Sequence, residues 1–193
     1  MSPKAEVNHA LRRNRGMLVA LFVLFFGGML VAGLLRFSGW RPEGSKNKGE
    51  MLEPYGDLRD YAPALAAGGR YRWGDSPRTW RIVTAPQDCD GARAAACAQL
   101  LQGLDTVWQL MGKNADRVHV LWVAALPTGA TVLAEVRQLR MDERLQAALV
   151  QPPASQGDAA WLIDPNGFVV LRYAPGFDPG DLRTDLARLL KIN

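Results

Sequence analysis

The chain has two cysteines, and both stand at one junction. Cys89 closes a short loop, Pro86-Gln87-Asp88-Cys89-Asp90-Gly91, and Cys97 lies at the start of the apolar run that follows. Two thiols beside a helix N-terminus could exchange disulfides, because the helix end favours the thiolate. They could instead hold a soft ion such as Cu(I), or close a static disulfide. Cys97 could also be only a small apolar residue of the core. Asp88 and Asp90 flank Cys89, and carboxylates close to a thiol raise its pKa against the pull of the helix. Geometry separates these readings. A helix beginning at Asp90 would hold the two cysteines about 12 Å apart by helical rise, whereas a disulfide needs Cα atoms within about 7 Å. Ala94-Ala95-Ala96 favours helix and Gly91 favours loop, so all the alternatives stay open at this point.

The elements around the pair follow from periodicity. Trp80 to Ala85 is β-branched and aromatic, as a buried strand requires. Asp88 or Asp90 is placed to cap a helix. Cys97, Leu100, Leu101, Leu104, Val107, Trp108 and Met111 repeat at helical spacing on one face, and Gly112-Lys113-Asn114 marks a stop. Arg117 to Ala124 is a near-continuous apolar strand suited to the middle of a parallel sheet. Thr131 to Leu139 reads as a second helix, and Asp142 to Leu149 as either more helix or a short edge strand. Gln151 to Gly157 reads as loop. Ala160 to Asp164, the turn Pro165-Asn166-Gly167 and Phe168 to Tyr173 form a hairpin. Asp181 to Lys191 is a last helix with Leu182, Leu186, Leu189 and Leu190 inward. The order β-α-β-α-β-β-α predicts an α/β thioredoxin-like three-layer domain, with the hairpin as an antiparallel edge. Met51 to Pro54 reads as irregular, Gly68 to Trp73 as a turn and short strand, and Asp75-Ser76-Pro77 as a turn.

Before this domain lies a different regime. Gly16 to Leu35 is 20 residues without a charge, preceded by Arg12, Arg13 and Arg15. About 20 apolar residues span a bilayer core, and the run exceeds the apolar stretch of about 7–15 residues usual in a cleaved signal peptide. The expected organisation is a cytoplasmic basic tail (1–15), a transmembrane helix (16–35), a linker (36–50) and the thioredoxin-like domain (51–193). The tighter arginine cluster before the span puts the N-terminus in the cytoplasm. The protein is then single-pass in the inner membrane, with its C-terminal domain periplasmic. Residues 1–48 carry 8 of the 23 basic and 2 of the 19 acidic residues, a balance of +6; residues 49–193 carry the other 15 and 17, a balance of −2. The basic excess therefore belongs to the membrane flanks. It is no argument for nucleic acid, and no nucleic-acid motif is present.

The strand, the Cys-bearing loop, the hairpin Leu162-Ile163-Asp164-Pro165-Asn166-Gly167 and the Leu-rich final helix resemble the Sco/SenC branch of thioredoxin-like proteins. Those are membrane-anchored copper chaperones and thiol reductases of cytochrome c oxidase assembly. A closer likeness is to small single-span proteins found with oxidase assembly factors in proteobacteria. It rests on the segment Gly49-Glu50-Met51-Leu52-Glu53-Pro54, the cysteine loop, Gly112-Lys113 and the ending Asp185-Leu186-Ala187-Arg188-Leu189-Leu190-Lys191. The resemblance implies an accessory protein of oxidase assembly that works by protein contacts with oxidase subunits or assembly factors. Copper is conceivable, but no cofactor is expected. Sco proteins have Cys-x3-Cys and a distant histidine, whereas seven residues separate Cys89 from Cys97 here and the loop before Ala160 has no histidine. The implied copper site is thus degenerate. A thiol-disulfide oxidoreductase or Cu(I) carrier using Cys89 and Cys97 is the alternative. The missing proline before Ala160, which thioredoxin-like oxidoreductases usually have in cis, weighs against the first.

The other chemistry-bearing residues have simpler readings. His9 falls in the basic tail and His119 inside a strand. Trp80, Trp108, Trp122 and Trp161 read as core or sheet-face packing. Asp164, just before Pro-Asn-Gly, reads as a turn residue. There is no Ser-His-Asp set, phosphate loop or zinc spacing.

Overall fold

The structure is a computed structural model that describes residues 3–38, 46–74, 77–127, 129, 133–149 and 158–192. It divides into two compact units, residues 1–45 and 46–193.

The first unit is one helix, α1 (Pro3–Phe37). Its segment Asn14–Phe37 is long and apolar enough to cross a membrane, with a mean hydropathy of 2.7 over its most apolar 18 residues. The helix begins well before the predicted span, so the basic tail continues the same helix. Apolar side chains such as Leu24 and Phe25 are exposed all round it, as a helix with no protein core to face requires.

The second unit is built on one six-stranded mixed sheet. In chain order its elements are β1 (Glu50–Asp57), β2 (Trp80–Thr84), α2 (Ala94–Gln109), β3 (Val118–Trp122), β4 (Val136–Gln138), α3 (Glu143–Ala148), β5 (Ala160–Ile163), β6 (Phe168–Tyr173) and α4 (Pro179–Ile192). The sheet order is β1-β6-β5-β2-β3-β4. β2, β3 and β4 run parallel, while β5, β6 and β1 pair antiparallel. Alternation along β2 and β3 sends side chains to two cores. Ile82, Val120 and Trp122 meet Cys97, Leu101, Leu104, Leu182 and Leu186 beneath α2 and α4. Val83, Leu121 and Trp161 meet Leu58, Tyr71, Trp73 and Leu145 on the other face. The result is a thioredoxin-like α/β domain in three layers.

The inward positions of α2 and α4 are those the periodicity predicts: Cys97, Leu101, Leu104, Val107 and Met111 are buried, as are Leu182, Leu186 and Leu190. Trp80, Trp122 and Trp161 are buried, and Trp108 packs against the α2–α4 core. Some of the expected elements change, and one that the sequence left open is settled. Within Thr131 to Leu139, Val136 to Gln138 is strand β4 and not helix, because it finds a free parallel edge beside β3 and tertiary pairing overrides local propensity; Thr131 and Val132 lie outside the described residues. Asp142 to Leu149 resolves as helix, with Asp142 as cap, its side chain accepting the Leu145 N–H at 2.9 Å. Met51 to Pro54 belongs to β1, which adds to β6, so the hairpin is interior to the sheet and not its edge. Its register jumps from Met51↔Leu171 to Gly56↔Val169, leaving Leu52–Tyr55 as a bulge. An exposed edge strand shows no alternation and tolerates proline, which hides it from pattern reading. Gly68 to Trp73 forms only an isolated bridge, Ala64↔Arg70. The predicted loop Gln151 to Gly157 and the turn residues Asp75 and Ser76 lie outside the described residues.

Candidate functional site

Cys89 and Cys97 form a disulfide, with Cα atoms 5.6 Å apart. The bond closes because α2 starts late. Asp90 is extended, with φ −97° and ψ 163°, and Gly91 to Arg93 make a single 3-10 turn before the helix begins at Ala94. Gly91 has φ +53°, in the left-handed region that glycine enters without steric cost. The expected capping by Asp88 or Asp90 does not occur, since neither the turn nor α2 receives a side-chain cap. The Asp88 carboxylate instead accepts the Asp90 N–H at 2.9 Å and shapes the loop itself. Cys97 Sγ lies 3.5 Å from the Asp88 carbonyl oxygen. A disulfide sulfur has no hydrogen to donate, so this is packing. Both cysteines are buried, at 3% and 0% exposure, and both belong to the α2–α4 core. The pair is thus both a disulfide and core packing.

Above the pair lies an open cleft of about 500 Å³. It runs between the loop after β2 and the residues after β3, the carboxyl ends of two parallel strands, where α/β sheets characteristically bind ligands. Ala85, Pro86, Cys89, Val123 and Ala124 line it, with Met141, Asp88 and Asp90 contributing as well. Across the loop, Arg93 reaches Asp158 at 2.6 Å, tying the cysteine loop to the chain just ahead of β5. Where thioredoxin-like oxidoreductases usually place a cis proline, this chain has Asp158-Ala159, and the Ala159 carbonyl accepts the Thr84 hydroxyl at 3.0 Å.

One cross-strand row, Gln138–Trp122–Thr84–Ala160–Tyr173, closes this end of the sheet. The segment leading into β1 joins at the same end. Asp185, fully buried on α4, accepts the Lys48 N–H at 2.7 Å, the Gly49 N–H at 2.9 Å and the Tyr173 hydroxyl at 2.9 Å. Gly49 lies flat on the Tyr173 ring, where an added Cβ would stand 2.8 Å from Cζ. Burial, then the Asp185 carboxylate, hold the Tyr173 hydroxyl far above its ordinary pKa. The Gly49 segment and the Asp185 ending, singled out separately in the sequence, are two halves of one contact.

The remaining predicted residues are elsewhere. His119 sits in β3, with Nδ1 2.7 Å from the Tyr71 hydroxyl, on the face opposite Val118 and Val120 and so away from the cysteines. Asp164 is the turn residue expected; its Oδ1 accepts the N–H groups of Asn166, Gly167 and Phe168. His9 lies among residues whose side chains are not described. A Cys2His copper centre does not fit this arrangement, since the sulfurs are bonded to each other and His119 faces the other core. Among the described residues no group of three or more His, Cys, Asp or Glu is placed to hold a metal ion.

Sequence reasoning missed Arg81. It is fully buried in β2 and donates to the Tyr71 hydroxyl at 3.0 Å and to the carbonyls of Trp73 and Asp164. Its guanidinium also faces the Tyr71 and Trp73 rings at 5.6 and 5.5 Å. The available signal was an arginine at an inward position of an otherwise apolar strand.

Trgpx in its apo form is similar in structure over 70% of this chain and 95% of its own, with a TM-score of 0.51 and 16% identity. BsSco, a member of the Sco family of cytochrome c oxidase assembly proteins, is similar over 69% and 92%, with a TM-score of 0.48 and 10% identity. Bradyrhizobium japonicum ScoI with copper bound is similar over 72% and 98%, with a TM-score of 0.44 and 14% identity. At such identities the likeness is one of fold. No curated protein matches the sequence. Residues 80–193, from the first strand of the parallel core to the end of the chain, match the family described as "Transmembrane-like, thioredoxin-like, C-terminal domain", and the chain belongs to that family.

Proposed function

We propose that this chain is a membrane-tethered thioredoxin-like accessory protein that holds a partner polypeptide at the disulfide end of its sheet. The setting is cytochrome c oxidase assembly, and Cys89–Cys97 is the covalent frame of the binding surface. The observation that carries this reading is the placement of the pair: both cysteines are sunk in the core beneath an open cleft. The setting is supported by the resemblance of the sequence to oxidase assembly proteins. A disulfide in the domain suits an oxidising compartment, and the arginines before α1 favour a cytoplasmic N-terminus. Both support a periplasmic domain on the inner membrane. The test is deletion of the gene under copper-limited growth, with assembled oxidase measured by its haem spectrum and by native gel. Assembled oxidase should fall, and a variant with both cysteines changed to alanine should restore it to the extent that it folds. Normal oxidase in the deletion strain would refute the reading.

One observation favours a second reading, a thiol-disulfide oxidoreductase: Cys89 lines the cleft. Thiol trapping across a glutathione series separates the two. An exchanging pair would titrate reversibly between about −120 and −270 mV, whereas a structural pair stays oxidised to below about −300 mV.

A further inference from the structure

Asp88 and Asp90 stand exposed at the rim of the cleft. Among the described residues neither makes an ion pair. The nearest arginine along the chain, Arg93, is engaged by Asp158. The turn in which Asp88 accepts the Asp90 N–H keeps the two carboxylates on one short loop. The floor beside them is apolar, made by Ala85, Val123 and Ala124. Met141, on the same cleft, is 41% exposed, one of few large apolar side chains left open in the 46–193 unit. An apolar floor beneath uncompensated negative charge is complementary to an aliphatic side chain next to a cation. The volume is that of a side-chain or small-ligand site and not of a domain interface.

We infer that the cleft binds an extended segment of a partner polypeptide that sets an aliphatic side chain on the Ala85–Val123–Met141 floor and a lysine or arginine against Asp88 and Asp90. This rests on the accessory reading above, which requires a polypeptide at this end of the sheet, and adds the chemistry by which the segment is chosen. Arg93 is held away from the rim by Asp158, so no cation of the cysteine loop competes for the two acids. Each rim contact is solvent-exposed, so recognition is weak per pair and sensitive to salt.

The experiment uses the full chain in non-ionic detergent micelles and three fluorescein-labelled octapeptides of equal length. Each has leucine at two positions and, between them, either lysine, glutamine or glutamate. Anisotropy reports binding, and backbone amide NMR shifts of Ala124 and Gln146 report the place. The lysine peptide should bind and shift both amides, with affinity falling as salt rises to about 0.3 M. The double variant Asp88→Asn, Asp90→Asn keeps the side-chain oxygen that shapes the turn and should weaken the lysine peptide about 3- to 30-fold. Asp116→Asn, at an exposed acid outside the cleft lining, should leave it unchanged. Equal or tighter binding of the glutamine or glutamate peptide at the same amides would overturn the charge recognition while leaving a polypeptide site. Failure of all three peptides to shift those amides would overturn the proposal and remove the polypeptide site of the accessory reading as well.

Discussion

Changing each cysteine of the pair to serine should destabilise the domain by unequal amounts. The disulfide spans a sequence separation of 8. On the loop-entropy account a loop that short removes about 2–3 kcal/mol of unfolded-state freedom. Either substitution forfeits that contribution in oxidising buffer. Beyond it, the two sites differ in degree. Cys97 is fully buried on the inward stripe of α2, among Leu101, Leu104 and the α4 leucines. A hydroxyl there costs about 1–3 kcal/mol when unpaired, and the Asp88 carbonyl 3.5 Å away can recover part of it. Cys89 is also buried, but it lines the cleft, where a hydroxyl can meet water. The expected losses are about 2–3 kcal/mol for Cys89→Ser and about 3–5 kcal/mol for Cys97→Ser in oxidising buffer. In reductant the wild type loses the staple too, and a gap of about 1–2 kcal/mol between the variants should persist. Urea unfolding followed by tryptophan fluorescence, with and without reductant, measures all four values. Equal losses when oxidised and none in reductant would refute the core role assigned to Cys97.

Arg81→Lys should cost about 2–4 kcal/mol, because an ammonium cannot reproduce the guanidinium fork to Tyr71, Trp73 and Asp164 in a dry site; a loss below about 0.5 kcal/mol in thermal unfolding would show that the fork is dispensable. Gly49→Ala should cost about 1–3 kcal/mol by driving a Cβ into the Tyr173 ring. Asp185→Ala should cost at least as much, since it strands the Lys48 and Gly49 N–H groups and the Tyr173 hydroxyl, while Asp185→Asn should recover part of the loss in urea titration. The Asp57 carboxyl is lowered to about 2 by the Arg59 side-chain hydrogen bond and the Arg59 N–H. A folded-state value below the unfolded one gives stability that is present above about pH 4 and lost as pH falls toward 2. Carboxyl-detected NMR of the chain should find this midpoint, and Arg59→Ala should move it part of the way up toward the ordinary aspartate range, because the backbone N–H of residue 59 still donates to the carboxylate.

The inward face of α2, the inward leucines of α4 and the Asp164 turn were legible in the sequence, because each depends on residues within a few positions of one another. Helical spacing from Cys97 to Met111 fixes one buried stripe whatever packs on it. Asp164 before Pro-Asn-Gly writes its own turn through three backbone N–H groups. The apolar run before Phe37 needs no partner to declare itself. What the tertiary structure decided depends on groups distant in the chain. Val136 to Gln138 is strand only because β3 offers an edge, and Glu50 to Asp57 only because β6 does. The cysteine pair was undecided in sequence because Ala94 to Ala96 and Gly91 pull in opposite directions. The folded loop resolves it by delaying α2 to Ala94 and fixing Arg93 on Asp158, 65 residues away. Arg81 could be seen as an anomaly in an apolar strand, but its meaning required Tyr71 and Trp73 to be folded over it. Gly49 and Asp185 stand 136 residues apart, and only the closed sheet brings the N–H to the carboxylate. Local spacing carries periodicity and turn chemistry; pairing between distant segments is set by which edges and cavities the rest of the chain leaves free.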